Sequence, residues 1–495
     1  IQQGDIHVRP AGETEYQIAR KPPRKILATM RPVSDSTCVP ERLVQAGLAL
    51  SWADRLETNP GDLTSVPDCH WETTDGQSFR AVTGQVTTTV PESESDAGTV
   101  DSGTARWLTY QHTPLTYRGW EAVLRGGRVP EGTLEQPPAQ LVTDFLSYNM
   151  TVFQGDREGY TPHEAEGGAR TFPSEGSIPG VTLRPVAQRS GDREPPHQGV
   201  DLIRSRQMEP HWVGDLILEA DLTIEPTSSG QNPESEVILS LVKGGRQFYA
   251  VLNLASGVVT LGIERFGGEE FGRDFAPRAQ TPILYPGTYR LRLANVDDRL
   301  TLWVDDVVQE FSDEPVWSRP VSGWCPTEAD LTPVRIGCRR HGREDGGITI
   351  SGLKLYRDLY YIATRDNVAS PELNNGIPWR SGGYEDSVVS FLSTPSQWEL
   401  YRRAPFQEFE LGEDQYLFLG DNSACSLDGR QWVSNAGYGE PERWGWDRPQ
   451  YWVDRELLKG KAVFLFWPHS WYYIRRGGEP LIPLLPNVER MKRIR

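Results

Sequence analysis

The chain has 495 residues, 24% charged and 37% hydrophobic, a length that predicts roughly two to four domains, each with its own core. Its 16 Trp, 18 Tyr and 15 Phe exclude a chain disordered throughout. The 51 Lys and Arg against 68 Asp and Glu give a net charge of -17, which argues against the basic face that duplex binding needs, so no nucleic-acid partner is expected.

The 48 Gly and 38 Pro favour short strands and turns over long helices, and the fold class expected is mainly β. From the start, IQQGDIHV (Ile1 to Val8) reads as strand, polar turn, strand. KILATMRPV, behind a Pro-Pro break, suits a strand or a short helix. The alternating run FRAVTGQVTTTV (Phe79 to Val90) predicts a strand, PESESDAG an exposed loop, and RWLTYQHTPLTYRGW (Arg106 to Trp120) an aromatic-rich segment before a Pro/Gly-rich connector.

From about Val142 the strand signal sharpens. DFLSYNMTV and VGDLILEADLTIEP are followed by SEVILSLVKGG, RQFYAVLNLASG and VVTLGIERFGG, each closed by a glycine turn. GTYRLRLANVDDRLTLWVDDVVQEF, VRIGCRR and GITISGLKLYRDLYYI complete the set. Strands of this length at this spacing predict an antiparallel β-sandwich or jelly roll over residues 140–364, with 36–139 as an insertion or connector. The pairs Asp297-Asp298 and Asp305-Asp306 read as hairpin turns rather than paired catalytic carboxylates. After it, EDSVVSFLSTPSQWELYRR suits a helix, and YLFLGDNSACSLDGRQW, KGKAVFLFWP and WYYIRR alternate loops with strands.

Cys38, Cys69, Cys325, Cys338 and Cys425 are odd in number and lack C-x-x-C spacing, which disfavours zinc; no metal and no cofactor is expected. Cys38 with Cys69, or Cys325 with Cys338, could pair outside the cytoplasm, and free buried thiols are an equal reading. The chain starts at Ile1 rather than Met, so a fragment or processed form is expected. No apolar run reaches the roughly 18–20 residues of a membrane span, which predicts a soluble piece.

One motif carries chemistry. Leu417 to Trp432 reads LFLGDNSACSLDGRQW, and its pattern Gly-Asp-Asn-Ser-x-x-Ser-x-Asp-x-Arg resembles the last box of type I signal peptidases, Ser/Lys membrane endopeptidases. An apolar strand leads into the box, and GKAVFLFWP resembles the strand that closes that fold. IQQGDIHV resembles the segment after the family's lysine-bearing box, and QIARKPPRKILA resembles a bacterial subgroup with a large insertion before the final box.

The resemblance implies a peptidase-like β core completed by both ends of the chain, residues 1–35 and 365–495, with the sandwich inserted between them. It implies strand pairing of 1–35 with the 410–475 region. It gives Ser426 the task of holding the base lysine's amine, has Asp421 meet an arginine that follows that lysine, and buries Asp428 and Arg430 together as an ion pair. Asn422 and Ser423 would satisfy backbone groups of the turn. The nucleophilic serine and the lysine base would lie in boxes upstream of Ile1. A base lysine must be neutral, hence in an apolar pocket. Seven lysines are present (Lys21, Lys25, Lys243, Lys354, Lys459, Lys461 and Lys492), and the two nearest the family's lysine box, Lys21 and Lys25, sit in polar RKPPRK.

The implied partners are signal-peptide-bearing preproteins and, through an upstream anchor, the extracytoplasmic face of a bacterial cytoplasmic membrane. LRLANVDDRLTLWVDD resembles strands of concanavalin-like or laminin-G-like sandwiches, which makes a glycan or protein ligand of the sandwich a further expected partner. The alternative function is a non-catalytic extracellular carbohydrate- or protein-binding β-sandwich protein.

Overall fold

The computed structural model describes residues 1–39, 51–58, 69–83, 104–114, 137–144, 153–154, 171–172, 211–265, 275–318, 324–340, 346–362, 384–403, 406–420, 428–430, 432 and 451–460, with the dipeptides 464–465, 475–476, 479–480 and 492–493. The fold is mainly β and antiparallel.

The N-terminal segment forms a two-residue hairpin, β1 (His7–Val8) with β2 (Gln17–Ile18), then helix α1 (Pro23–Thr29) and β3 (Arg31–Asp35). The segment KILATMRPV thus holds both elements offered for it. Pro22 and Pro23 start the helix, since proline has no N–H to lose there and its φ is already helical. Next come β4 (Trp52–Thr58), β5 (Cys69–Glu72), β6 (Phe79–Thr83) and β7 (Thr104–Tyr110), then a parallel dipeptide pair, β8 (Phe153–Gln154) and β9 (Thr171–Phe172).

The long strands are β10 (Leu216–Ile224), β11 (Ser235–Lys243), β12 (Arg246–Asn253), β13 (Val258–Arg265), β14 (Arg278–Gln280), β15 (Gly287–Val296), β16 (Arg299–Val304), β17 (Val307–Val308), β18 (Val334–Arg340) and β19 (Ile348–Arg357). They form two sheets. The first runs β17-β16-β15-β10-β19-β6-β5 with β3 also on β19; the second runs β14-β13-β12-β11-β18-β7-β4.

Alternation explains why these sequences make this sandwich. In β12, Phe248, Ala250 and Leu252 point into the core, while Tyr249 and Val251 face outward onto Trp107 and Ile238. Gly262 is required opposite Tyr249, because a Cβ there would lie 2.2 Å from the ring. Asp297-Asp298 and Asp305-Asp306 are hairpin turns as expected, all four with positive φ between 49° and 65°, the conformation of turns whose twist matches the strands.

Two expectations about boundaries are corrected. The sandwich does not start at 140: β6 and β5 extend the first sheet beyond β19 and β7 and β4 extend the second beyond β18, so residues 36–139 supply strands and are not simply a connector. These strands are short and come from polar sequence, so their inward residues (Trp52, Trp71, Phe79, Ala81, Leu108, Tyr110) are too few per strand to show a clear period. Likewise residues 1–35 dock on the sandwich. Strand β3 pairs with β19, and Ile26 of α1 is buried on the outer face of the first sheet against Ile217, Ala294, Val296 and Trp303.

Toward the C-terminal part, the N-terminal segment makes a bridge of Gln2 to Phe406, reciprocal hydrogen bonds between Ile1 and Gln407, and a Tyr16 hydroxyl bond to Glu408. No strand of residues 1–35 pairs with residues 410–475 among the described residues. The expected helix is α2 (Tyr384–Leu392), continued by a 3-10 stretch over 395–403. Its Val388, Phe391 and Leu392, with Trp398 and Tyr401, join the main core. The strand expected in DFLSYNMTV lies outside the described residues beyond Asp144. In the C-terminal part, β20 (Gln415–Tyr416) pairs with β21 (Val453–Asp454).

Candidate functional site

The final box and the N-terminal segment meet along one short stretch, residues 357–362, that continues from β19. At its far end lies the box. Asp428 and Arg430 are buried, 6% and 2% exposed, and paired in a fork: Arg430 Nε donates to Asp428 Oδ1 at 2.8 Å and Nη2 to Oδ2 at 2.7 Å. The second carboxylate oxygen also accepts the Gly420 amide at 2.8 Å, and Arg430 Nη1 donates to the Ile362 carbonyl at 3.1 Å. The guanidinium lies 5.5 Å from the centre of the Tyr361 ring. Gly429 must be glycine for this loop to close, since a Cβ would come within 2.7 Å of the Tyr451 carbonyl. Local sequence spacing dictates the pair: two residues apart around a glycine, the side chains fold back on one another and brace the turn. Asp421, Asn422, Ser423 and Ser426 lie outside the described residues.

At the near end of the same stretch is a second buried cluster, which sequence spacing does not show. Lys21 Nζ binds Asp297 Oδ1 at 2.8 Å and Asp358 Oδ2 at 2.7 Å, and the Lys21 amide donates to Asp297 Oδ2 at 2.7 Å. Beside it Lys243 pairs with Asp215, whose other oxygen accepts the Asp297 amide at 3.0 Å. The Asp297 turn of the β15–β16 hairpin therefore acts as a receptor for the N-terminal segment. Gly4 completes the join, its carbonyl accepting the Tyr361 amide at 3.1 Å.

Electrostatics decide what Lys21 can do. Burial alone would depress its ammonium, but Asp358 and Asp297 outweigh that and hold it above its ordinary value. Burial pushes the Asp358 carboxyl up to about 6 against the pull of Lys21. Burial would also raise Asp215, yet Lys243 reverses the direction and keeps it low. A lysine clamped by two carboxylates stays charged, so Lys21 is not a neutral base; Lys25 is exposed to solvent on α1.

Asp5, Asp215 and Asp297 each offer a carboxylate oxygen within 4.8 Å of the others, a spacing that suits a cation. The Lys243 and Lys21 ammonium groups already bind two of the three, so the cluster's charge is met by amines. The adjoining cavity, between Gln3, Gly4, Trp212, Trp324 and Tyr360, holds about 30 Å³. That is room for a water or two and not for a sugar ring or a peptide. The eight tryptophans that line the core (Trp52, Trp71, Trp107, Trp212, Trp303, Trp317, Trp324 and Trp398) are all under 9% exposed, so none of them is a sugar platform. Among the described residues no helix is long and apolar enough to cross a membrane.

No family model matches the chain. No curated protein matches it. Among solved structures, it is similar to galectin LEC-6 of Caenorhabditis elegans, at 13% identity over 29% of this chain and 83% of that one, with a TM-score of 0.19. Sheep galectin-11 in complex with glycerol aligns at 12% identity over 29% and 89%, with a TM-score of 0.19. The carbohydrate-binding module CBM66 of Bacillus subtilis aligns at 15% identity over 30% and 73%, with a TM-score of 0.16. Likenesses this slight carry no functional argument, and the mainly β, antiparallel architecture stands on the two sheets themselves.

Proposed function

We propose that the chain is the extracytoplasmic part of a signal-peptidase-I-like Ser/Lys endopeptidase that carries a β-sandwich and acts on signal-peptide-bearing preproteins at a membrane surface. One observation carries the reading: Asp428 and Arg430 of the GDNSACSLDGR box are buried in a forked ion pair that closes the box on its own Gly420 and ties it to Ile362. An ordinary exposed turn has no reason to bury two charges. In this reading Ser426 and Asp421 support a serine and a lysine carried upstream of Ile1, and Asp428 and Arg430 hold the supporting loop in shape. The chain by itself then contributes orientation without nucleophile or base, and cleavage by it alone should be close to none.

The test is cleavage, in detergent, of a preprotein whose signal peptide ends in small residues. The protein extended upstream to the serine and lysine boxes should cleave, the 495-residue chain should not, and Ser426→Ala should slow the extended protein. Failure of the extended protein to cleave overturns the proposal. So does cleavage by the short chain that is lost in Lys21→Ala or Lys25→Ala, which would return the base to this chain.

A second reading, a non-catalytic glycan- or protein-binding sandwich, is favoured by the use the fold makes of its first 35 residues: β3, α1 and Lys21 all serve the sandwich. Tyr285, 72% exposed beside Leu284, is its natural stacking surface. Glycan-array binding lost in Tyr285→Ala, in a protein with no peptidase activity, would establish it instead.

A further inference from the structure

Two cysteines that the proposed chemistry does not use face each other across the sandwich. Cys69 lies on β5 at the edge of the first sheet, Cys338 on β18 inside the second, and their sulfurs are 3.4 Å apart across 269 residues of sequence. Both are buried, 2% and 0% exposed, and neither is in a disulfide. The sequence offered Cys38 with Cys69 and Cys325 with Cys338. The fold instead turns Cys325 toward the Trp398 carbonyl at 3.3 Å and leaves Cys38 exposed.

We propose that Cys69 and Cys338 are a redox-convertible cross-link between the two sheets. A disulfide requires a sulfur separation of about 2.05 Å, so the thiols need approach by little more than an ångström, within reach of side-chain rotation. Access comes from the edge. Among the described residues strand β5 pairs with β6 through four residues, and β6 joins β19 through Arg80 with Thr349 and Phe79 with Ile350. The hairpin buries Trp71, Phe79 and Ala81 in the core, but as the end of its sheet it opens locally at lower cost than the central strands.

The oxidant is a small-molecule disulfide of the glutathione class. During opening, the Cys69 thiolate attacks it, one small thiol leaves, and a mixed disulfide remains on Cys69. On closure the Cys338 thiolate attacks the Cys69 sulfur and the second small thiol leaves. One small-molecule S–S bond and two protein S–H groups become one protein S–S bond and two small-molecule thiols, with both protons carried to the leaving groups. The product staples the hairpin at the end of one sheet to an inner strand of the opposite sheet.

The experiment refolds the 495-residue chain in oxidised or reduced glutathione, blocks remaining thiols with a maleimide under denaturing conditions, and maps peptides by mass spectrometry. A peptide linking Cys69 to Cys338 is expected in oxidised buffer alone. The oxidised chain should melt roughly 5–15 °C above the reduced one. Cys69→Ala and Cys338→Ala should each abolish both the peptide and the redox-dependent shift. Should either variant fail to fold, the wild-type peptide map decides by itself. Linkage of Cys69 to Cys38 or of Cys338 to Cys325, or maleimide on both Cys69 and Cys338 after oxidised refolding, overturns the proposal.

Discussion

Two buried ionic clusters sit at either end of residues 357–362, and they differ in how the chain builds them. The box pair, Asp428 with Arg430, is made by residues two apart. The junction joins Lys21 to Asp297 and Asp358, which are 276 and 337 residues away, and Lys243 to Asp215, 28 away. The first braces a loop, whereas the second fastens the N-terminal segment onto the sandwich. Each excludes water from charges that are costly to bury unpaired, so both should be intolerant of losing one partner. They should part company in how far the damage spreads.

The largest effect is expected at Lys243→Met. It leaves the Asp215 carboxylate buried with the Asp297 amide as its donor, removes an ammonium that also lies 4.9 Å from the Trp324 ring, and does so at the wall of the main core. Loss of one half of such a pair costs about 3–5 kcal/mol. Urea unfolding of the whole sandwich should record it in full. A loss below about 1 kcal/mol would mean that Asp215 finds another partner and that the junction is not a unit.

Arg430→Ala should cost the box a comparable amount but confine it there. The arginine's contacts include Asp428, the Ile362 carbonyl and the Tyr361 ring. Hydrogen exchange at Gly420 and Gly429 should speed up by orders of magnitude while amides of β10 to β13 keep their protection. Unchanged exchange at Gly420 would make the pair decorative. Spread of the loss to β11 would erase the contrast between the two clusters.

That contrast also explains what was legible in the sequence. The glycine-closed strands from Leu216 to Arg357 announced themselves by period and turn residues, and the Asp297 and Asp305 pairs were recognisable as hairpins because their geometry is local. The pairing of Asp428 with Arg430 was expected only through the resemblance of the box, although the contact itself is local. What stayed hidden depended on distant pairing. Nothing near RKPPRK marks Lys21 as the ligand of a turn 276 residues away, and nothing near Cys69 indicates Cys338. Strand β6 lies in the alternating run that begins at Phe79, but β4, β5 and β7 were missed because each carries only one or two residues into the main core (Trp52; Cys69 and Trp71; Leu108 and Tyr110) in polar surroundings, too few to set a period. The one signal available at the junction was scarcity: with seven lysines in 495 residues, each has a fair claim to a specific task.

A smaller effect, and one with a sign, is expected from pH. Asp358 has its folded value raised from the ordinary 3.8 to about 6, so the folded chain binds this proton more tightly than the unfolded one. The contribution is therefore fully present below about 4 and is lost as pH rises through 6. Relative to Asp358→Asn, which cannot titrate, the wild type should lose roughly 1–3 kcal/mol between pH 4 and pH 7. A difference that is flat with pH, or one that grows as pH rises, would show that the Lys21 ammonium outweighs burial and that Asp358 stays ionised throughout.

The smallest effect should come from a pair with the same fork geometry and none of the burial. Arg80 binds Glu225 through two contacts, at 2.7 and 3.2 Å, joining β6 to the residue after β10. Its shorter contact equals that of the box pair at 2.7 Å, so Coulomb's law at closest contact does not separate the two. Exposure does. The side chains are 54% and 45% exposed against 1% and 6% for Arg430 and Asp428. Water solvates each partner almost as well as the other does, and holding two long side chains together costs rotamer entropy, so an exposed pair yields at most about 1 kcal/mol. Arg80→Ala should lower stability by roughly 0.2–1 kcal/mol at low salt, and the difference should fade in 1 M salt, where screening acts within about 3 Å. Arg80 also stands on the hairpin that carries Cys69, so the reduced chain is the right background for the measurement. A salt-independent loss of several kcal/mol would mean that Arg80 holds the β5–β6 hairpin in place through more than its charge, and that burial is not what separates the two kinds of pair.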